Sequence, residues 1–315
     1  MIRIIQYHSV FHREWDEFVA SCVNATFMHQ RPYMDYHSNR FSDCSLMAYD
    51  EGKLLAVLPA NRKLSTLYSH QGLTYGGWLY RQKHFDGTVM MQIMESAMAW
   101  MKAHNVRTWY YKPVPHIYHR YPAEEDLYAL FRVGATLCES NLSTSVLLSN
   151  PLAFDRGNKS SVNAAQKAGV EVRQSSDWEA YWQVLTEVLA ARHQTAPVHS
   201  VEEMKLLHSR FPDQIRLYTA SLAGQPVAGV VMFYTHTVAH SQYIASNDEG
   251  RRVKALPLLF HYLIAEAAKM GKTYFDFGIS NENHGLLLNE GLLQQKSRMG
   301  GRGIVYNTYK IQLPF

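Results

Sequence analysis

The same order of predicted elements occurs twice along the chain, and this repeat limits the folds that the sequence can adopt. In each half, two apolar stretches flank a turn that contains a glycine, Gly52 in the first half and Gly224 in the second. Glycine lets the backbone reverse between paired strands, so each half is expected to contain a β-hairpin. Further along each half, an apolar helical pattern ends at Asn105 or at Gly271, and a strand follows. Both residue types favour the left-handed backbone that ends many helices.

The repeat predicts a mixed, mostly antiparallel sheet flanked by helices in each half, an α/β architecture of the α+β kind. The first half has predicted strands at 45–49, 54–59 and 106–112 and a helix at 90–104, and the second has predicted strands at 215–221, 226–234 and 273–277 and a helix at 256–270. Another strand is predicted at 143–148. We expect the domain boundary just after it, which gives domains at residues 1–150 and 151–315.

The composition limits the kind of protein that this chain can be. Its 315 residues suit two domains, and 47% hydrophobic residues with 18% charged residues favour a packed core over disorder. The net charge of +4 fits an anionic ligand but is too small to indicate DNA binding. Three widely spaced cysteines are typical of reduced thiols in a cytoplasmic protein. The longest apolar stretch, 255–268, is interrupted by polar residues, so no transmembrane segment is expected, and the first residues are not expected to form a signal peptide.

The stretch 274–300 is the most informative for function. An aromatic strand ends in polar side chains, and a helix with an amide, a carboxylate and a lysine follows. Strand ends that carry polar groups into a crevice are common ligand sites in α/β proteins. Glu282, Asn289 and Glu290 are candidates for acid–base or amine-orienting groups, although each could be an ordinary helix cap. Lys296 is a candidate for a group that supports a reacting carbonyl, or it complements the helix dipole.

Asp276 lies between two phenylalanines on the same predicted strand. It is expected to be half buried and to need a partner, and a structural role is favoured for it over catalysis. Asp276-Phe277-Gly278 matches a kinase tripeptide by chance, because the other kinase motifs are absent from the sequence.

The predicted strand 238–246 carries His240 and Gln242, which share one face if the strand is regular. That face is either part of a site or exposed to solvent. His236 and His240 are too far apart on a strand to bind one zinc ion, so no metal site is expected.

Arg251, Arg252 and Lys254 lie just before the predicted helix at 256–270. The N-terminus of a helix offers free N–H groups and positive potential, so these cations are candidates for binding donor phosphates. The alternative is a basic loop whose charges face water.

The loop 68–78 of the first half is interrupted by glycines and rich in hydrogen-bonding groups. Ser69, His70, Gln71 and Tyr75 are candidates for binding a polar acceptor, since glycine permits close approach of the backbone. The alternative is a tight structural turn. No Gly-x-Ser-x-Gly motif is present, so a hydrolase triad is not supported.

Taken together, these motifs resemble the Fem-type (FemAB-like) branch of the GNAT superfamily of acyltransferases. They are Ser69-His70-Gln71-Gly72, Tyr75-Gly76-Gly77, Asp276-Phe277-Gly278 and Asn289-Glu290-Gly291-Leu292, with Lys296 and Gly300. The resemblance implies two tandem GNAT-like domains and transfer of an acyl or aminoacyl group to an amine. It implies acyl-CoA as the donor in some members and aminoacyl-tRNA in the branch that acts on peptidoglycan precursors.

Two departures from the family pattern bear on the donor. The pyrophosphate loop of the superfamily has the form Arg/Gln-x-x-Gly-x-Gly/Ala, whereas Lys254 and Leu256 stand at the positions of its small residues. The aromatic residues that flank the family's lysine are replaced by Gln295 and Met299. The sequence also lacks a stretch for the long helical hairpin of the tRNA-using branch, which makes tRNA the less expected donor.

The leading hypothesis is therefore an N-acyltransferase that moves an acyl group, from acyl-CoA, to an amine of a sugar, peptide or cell-envelope precursor. Glu282 or His240 would deprotonate the amine, and Lys296 would stabilise charge near the transferred group. Two alternatives remain: an aminoacyl-tRNA-dependent ligase acting on a peptidoglycan precursor, and a non-catalytic protein that binds a glycan or a partner.

Overall fold

The computed structural model describes residues 1–193 and 195–313. The helices are α1 (His12–Ser21), α2 (Arg31–Met34), α3 (Gly87–Ala103), α4 (Glu125–Arg132), α5 (Arg156–Lys167), α6 (Trp178–His193), α7 (Val201–Arg210), α8 (Asp248–Arg252), α9 (Ala255–Lys269) and α10 (Glu290–Arg298). The strands are β1 (Arg3–Gln6), β2 (Leu46–Asp50), β3 (Lys53–Leu58), β4 (Asn61–Lys63), β5 (Thr66–Tyr68), β6 (Leu79–Tyr80), β7 (Thr108–Tyr111), β8 (Thr136–Leu147), β9 (Glu171–Ser175), β10 (Ile215–Leu222), β11 (Gln225–Tyr234), β12 (Val238–Ser246), β13 (Tyr274–Ile279), β14 (Asn281–Glu282), β15 (Leu287–Leu288) and β16 (Arg302–Gln312).

The described residues form two compact units. Unit 1 contains residues 1–142, 283–287 and those from 305 onward, and unit 2 contains residues 143–282 and 288–304. The strands β8 and β16 each contribute residues to both units. No single position in the sequence therefore separates the described residues into these units.

Unit 1 contains two groups of paired strands. One is a four-stranded sheet in the order β1-β2-β3-β6, and the other runs β4-β5-β7-β16 and continues to the first part of β8. Helix α3 begins at Gly87 because the carboxylate of Asp86 accepts hydrogen bonds from the N–H groups of Thr88 and Val89. Its apolar face is fully buried in the core of this unit, beside Trp78 and Trp109.

In unit 2 the strands run in the order β8-β13-β12-β11-β10-β9, and β12 and β13 are the parallel pair within this order. Alternate residues of β11 face opposite sides. Val230 and Met232 pack with α9 in the core, whereas Gly229 lies directly against the ring of Tyr181 on α6. A Cβ added at Gly229 would lie 2.3 Å from that ring, so glycine is required where α6 approaches the sheet.

The backbone features predicted from the repeat are confirmed. Gly52 and Gly224 have φ values of 79° and 81° in their turns, and Asn105 and Gly271 have φ values of 56° and 69° after their helices. All four lie in the left-handed region that the sequence predicted. Helix α3 starts three residues earlier than expected because Asp86 caps it.

A buried carboxyl group makes the stability of unit 1 depend on pH. The hydroxyl of Tyr111 donates to Asp126 Oδ2 at 2.6 Å, and the same hydroxyl accepts a hydrogen bond from the N–H of Trp78 at 2.7 Å. Burial raises the pKa of Asp126 from 3.8 to about 7, although hydrogen bonds from Tyr111 and from the N–H of Leu127 oppose that rise. The folded state therefore holds a proton that the unfolded state releases.

We expect the stability due to Asp126 to be complete below pH 3.8 and to be lost as the pH rises through about 7. The loss has a limiting slope of about 1.4 kcal/mol per pH unit. The variant Asp126→Asn cannot titrate, so urea unfolding between pH 5 and 7.5 should show a flatter decline than in the wild type. The exposed Asp213→Asn is the matched control. Equal slopes for wild type and Asp126→Asn would contradict the assignment.

Candidate functional site

The parallel strands β12 and β13 stay paired over only three residues. Val238 to His240 lie opposite Tyr274 to Asp276, after which β12 continues to Ser246 without further pairing to β13 among the described residues. Strand β12 remains paired with β11 on its other side as far as Ser246. The edge of β12 that follows His240 thus carries backbone groups that β13 does not occupy.

A β-bulge lies on this part of β12. Met232 is opposite Ser241 and Val231 is opposite Tyr243, so Gln242 is an extra residue with no partner position on β11. The regular alternation assumed for His240, Gln242 and Ile244 therefore does not hold across Gln242, because a bulge changes the direction of the side chains that follow it. Gln242, Tyr243 and Ile244 are all partly exposed.

A network of hydrogen bonds surrounds the carboxylate of Asp276. Oδ1 accepts from the hydroxyls of Ser143 at 2.7 Å and Ser145 at 2.6 Å, and Oδ2 is 2.7 Å from Nδ1 of His240. Asp276 is completely buried, which opposes its ionisation, but the hydrogen bonds from His240 and the serines outweigh burial and hold the pKa of Asp276 below its usual value. A buried anion is therefore placed beside a histidine whose side chain is 14% exposed.

Sequence analysis missed the two serines of this network. The sequence does contain a signal for a shared polar contact, because Ser143 and Ser145 are two apart on a strand and so share one face. Their partner is more than 130 residues away in the sequence, however, and only the register of β8 against β13 brings them to Asp276. The expectation that Asp276 needs a partner is confirmed, whereas the expectation of half burial is wrong because three strands enclose it.

Lys296 contacts the chain segment that follows Asp276. Its ammonium group donates to the carbonyl oxygens of Gly278 at 2.9 Å and Ile279 at 2.6 Å. Burial lowers the pKa of Lys296 to about 8, and the negative charge of Asp276 opposes that shift. Gly278 has a φ of 78°, and a Cβ placed there would lie 3.5 Å from Cε1 of His240. The structure thus brings His240 and Lys296 to the same short segment.

The remaining candidates near this segment have different environments. Asn289 is the N-cap of α10, where its side chain accepts from the N–H of Leu292 and its own N–H donates to the carbonyl of Ser280 at 2.9 Å. Glu282 and Glu290 are both exposed. The amide of Asn289 is therefore engaged in capping, while the two carboxylates face solvent.

The three predicted phosphate-binding cations lie around the start of α9. Arg251 and Arg252 are in the last turn of α8, where Arg251 pairs with Asp248 and Arg252 pairs with Glu249. Lys254 is the N-cap of α9 and has a left-handed backbone, with φ of 59°. Glycine is the residue that adopts this conformation most easily, so the backbone keeps a glycine-like conformation at Lys254.

The candidates from the first half lie in unit 1. Ser69, His70 and Tyr75 are buried, and Gln71 exchanges two hydrogen bonds with Asn61, at 2.6 Å from its N–H and at 3.0 Å to its side-chain oxygen. Burial, followed by the nearby charges of His37 and Lys112, lowers the pKa of His70 to about 3, so this imidazole is neutral at physiological pH. Most of the loop is packed inside unit 1, whereas Gln71 and Thr74 are exposed.

Two further features, a metal-binding cluster and a membrane-spanning helix, do not occur among the described residues. No group of three or more side chains that could hold a metal ion occurs in residues 1–193 and 195–313. Over the same ranges, no helix combines the length and the apolar character needed to cross a membrane.

Comparison with known proteins bears on the family and the fold. The family model of the acetyltransferase (GNAT) domain matches residues 157–284. The fold is similar to the crystal structure of FemX, with a TM-score of 0.69 and 13% sequence identity over 99% of this chain and 97% of that chain. No curated protein matches the sequence closely enough to count as a relative.

Two further solved structures share the fold. A tandem GNAT protein from the clavulanic acid biosynthesis pathway matches with a TM-score of 0.53 and 11% identity, covering 100% of this chain and 99% of that chain. L-PGS from Bacillus licheniformis matches with a TM-score of 0.57 and 13% identity, covering 81% of this chain and 80% of that chain.

Residues 157–284 thus match the model of the GNAT domain, and the chain has the fold of FemX and of a tandem GNAT protein. This result confirms the fold class predicted from the sequence, two tandem GNAT-like domains with mixed sheets and flanking helices. It supports an acyltransferase as the class of protein.

Replacing His240 by alanine should destabilise unit 2, because the buried carboxylate of Asp276 would lose one of its three hydrogen-bond donors. The loss of one hydrogen bond to a buried charged group costs about 1.5–3 kcal/mol. Urea unfolding followed by tryptophan fluorescence measures the change, and His261→Ala, an exposed histidine on α9, is the matched control. A loss no greater than that of the control would show that Asp276 does not depend on His240.

Proposed function

We propose that unit 2 is the catalytic part of an N-acyltransferase that moves an acyl group from acyl-CoA to an amine of a sugar, peptide or cell-envelope precursor. The observation that carries this proposal is the short pairing of β12 with β13, which leaves an edge of β12 free beside His240. Backbone N–H groups on a free strand edge stabilise the negative charge that develops on an acyl carbonyl oxygen during attack by an amine. The GNAT domain covers this pair of strands as far as residue 284, which supports the assignment.

His240 is the favoured general base. An amine attacks a carbonyl only when it has lost its extra proton, and an imidazole within hydrogen-bond reach accepts that proton efficiently. The ring is partly exposed and is held by Asp276 at 2.7 Å. Glu282 is the alternative base, since it lies just after β13 and is exposed.

Lys296 is assigned a role in holding the segment at Gly278 and Ile279 that follows Asp276. Its two hydrogen bonds fix the carbonyl groups of Gly278 and Ile279, and Gly278 has a left-handed backbone. In this assignment Lys296 keeps β13 apart from β12 and places positive charge near the reacting carbonyl. Asn289 supports the same segment through its bond to Ser280, and Glu290 and Gln242 are candidates for contacts with the acceptor.

The start of α9 is the candidate site for the donor phosphates. Helix α9 has 15 residues and contributes free N–H groups at its first turn, where Lys254 adds a positive charge. Arg251 and Arg252 already pair with carboxylates, so their contribution depends on exchanging those partners for phosphate. Lys254 is thus the cation from which the largest effect is expected.

The variant Lys254→Ala should raise the KM for acetyl-CoA about tenfold, which corresponds to about 1.4 kcal/mol of binding, with little change in kcat. Combining it with Arg251→Ala should raise the KM further. Release of free thiol from acetyl-CoA across a panel of amino sugars and amino acids measures the reaction. The control is Lys269→Ala, at the other end of α9 and paired with Glu266. An unchanged KM in the double variant would contradict the phosphate site.

Binding measurements on the same purified protein distinguish two other functions. Salt-sensitive binding of charged tRNA, without binding of CoA, would favour the aminoacyl-tRNA-dependent ligase acting on a peptidoglycan precursor. Binding of a glycan in calorimetry, with neither affinity for CoA nor turnover, would favour the non-catalytic protein.

A further inference from the structure

We infer that Asp276 is a positioning residue that fixes the tautomer of His240. In this assignment Nδ1 of the imidazole carries the proton and Nε2 is the free acceptor. Ser143 and Ser145 hold the carboxylate in place and thereby take part in the same positioning. The assignment of the tautomer stands on geometry, whereas its use in catalysis rests on the proposed function.

The donors around the carboxylate determine the tautomer. An ionised carboxylate only accepts hydrogen bonds, so the hydroxyls of Ser143 and Ser145 must donate to Oδ1 and the imidazole must donate from Nδ1 to Oδ2. A neutral imidazole with its proton on Nδ1 has a lone pair on Nε2. This lone pair is the one that can accept a proton from a substrate.

The strands restrict the carboxylate from both sides. On one side, the parallel register places His240 of β12 opposite Asp276 of β13. On the other, the antiparallel register places Ser145 of β8 opposite Asp276 and Ser143 opposite Ile279, with an irregularity between Asp276 and Ile279. That irregularity lets two serines on one face of β8 reach the same oxygen atom. Rotation of the carboxylate would break bonds to two different strands.

Burial separates the fixed part of the network from the part that can react. Asp276 and Ser143 are fully buried and Ser145 is 6% exposed, while the side chain of His240 is 14% exposed. His240 is therefore the most accessible member of the network. Two serine hydroxyls that donate to one carboxylate oxygen stabilise its ionised form. The carboxylate needs that form beside an imidazolium.

The proton balance of the reaction uses this arrangement directly. The lone pair of the amine nitrogen attacks the acyl carbon and forms the C–N bond, while the C–S bond breaks and its electron pair leaves on the thiolate of CoA. The proton lost by the amine goes to Nε2 of His240. The resulting imidazolium faces the carboxylate of Asp276, which stabilises its positive charge without taking its proton.

The tautomer can be measured without any substrate. Long-range ¹H–¹⁵N spectra of the full chain labelled with ¹⁵N-histidine distinguish protonated from unprotonated ring nitrogens, and loss of signals in His240→Gln assigns the residue. In the neutral ring we expect Nδ1 to be protonated and Nε2 to be unprotonated. A spectrum in which Nε2 carries the proton, or in which both tautomers are populated equally, would overturn the inference.

The serines test the positioning role while His240 and Asp276 both remain. We expect Ser143→Ala or Ser145→Ala to lower kcat about five- to tenfold, the effect of about one hydrogen bond, with an unchanged KM for acetyl-CoA. The same variants should increase the population of the Nε2-protonated tautomer. The control is Ser160→Ala, an exposed serine on α5, and Ser145→Thr, which keeps the hydroxyl, should restore both the rate and the tautomer.

Failure of this inference differs from failure of the proposed function. A wild type that transfers acyl groups, with serine variants of unchanged kcat and tautomer, would overturn the positioning role alone. A wild type with a protonated Nδ1 and no acyl transfer to any amine would overturn the proposed function and support the assignment of the tautomer.

Discussion

The buried carboxylate of Asp276 is the constraint on which the architecture of unit 2 depends. A charge without exposure to water is tolerated only when hydrogen bonds replace its hydration, and here the donors come from the strands on either side of β13. The requirement fixes the register of three neighbouring strands at one level of the sheet. It also fixes where β12 and β13 part, because their pairing ends at His240 and Asp276. The free strand edge and the partly exposed imidazole follow from the same contacts.

Two buried aspartates of the chain show how the number of donors decides ionisation. Asp276 accepts from two hydroxyls and an imidazole, and its pKa stays below the usual value despite complete burial. Asp126 accepts a side-chain hydrogen bond from Tyr111 with backbone support from Leu127, and burial raises its pKa to about 7. A carboxyl group that is ionised suits a site that must balance a transient positive charge. One that titrates near neutrality suits a structural position in a core.

The sequence predicted the parts of the fold that depend on local backbone chemistry. Gly52, Gly224, Asn105 and Gly271 mark the turns and caps of the repeat because few other residues adopt their conformation easily. The bulge at Gln242 could not be predicted, because it arises from pairing with β11 and has no local signal on β12. The serines that bind Asp276 were missed for the same reason, since their contact depends on the register between distant strands. His240 and Lys296 were candidates from the sequence, and the structure brings both to one segment.

The discontinuous composition of unit 1 has a consequence for how the chain is made. Strand β7 is formed by residues 108–111, and its neighbour β16 follows far later in the sequence, since Thr108 pairs with Gln312. During synthesis on the ribosome, one edge of β7, a strand with a tryptophan and two tyrosines, stays unpaired until β16 has been made. Unpaired edges of this kind invite pairing with other chains. Completion of the sheet that contains β7 is thus coupled to synthesis of residues 302–312.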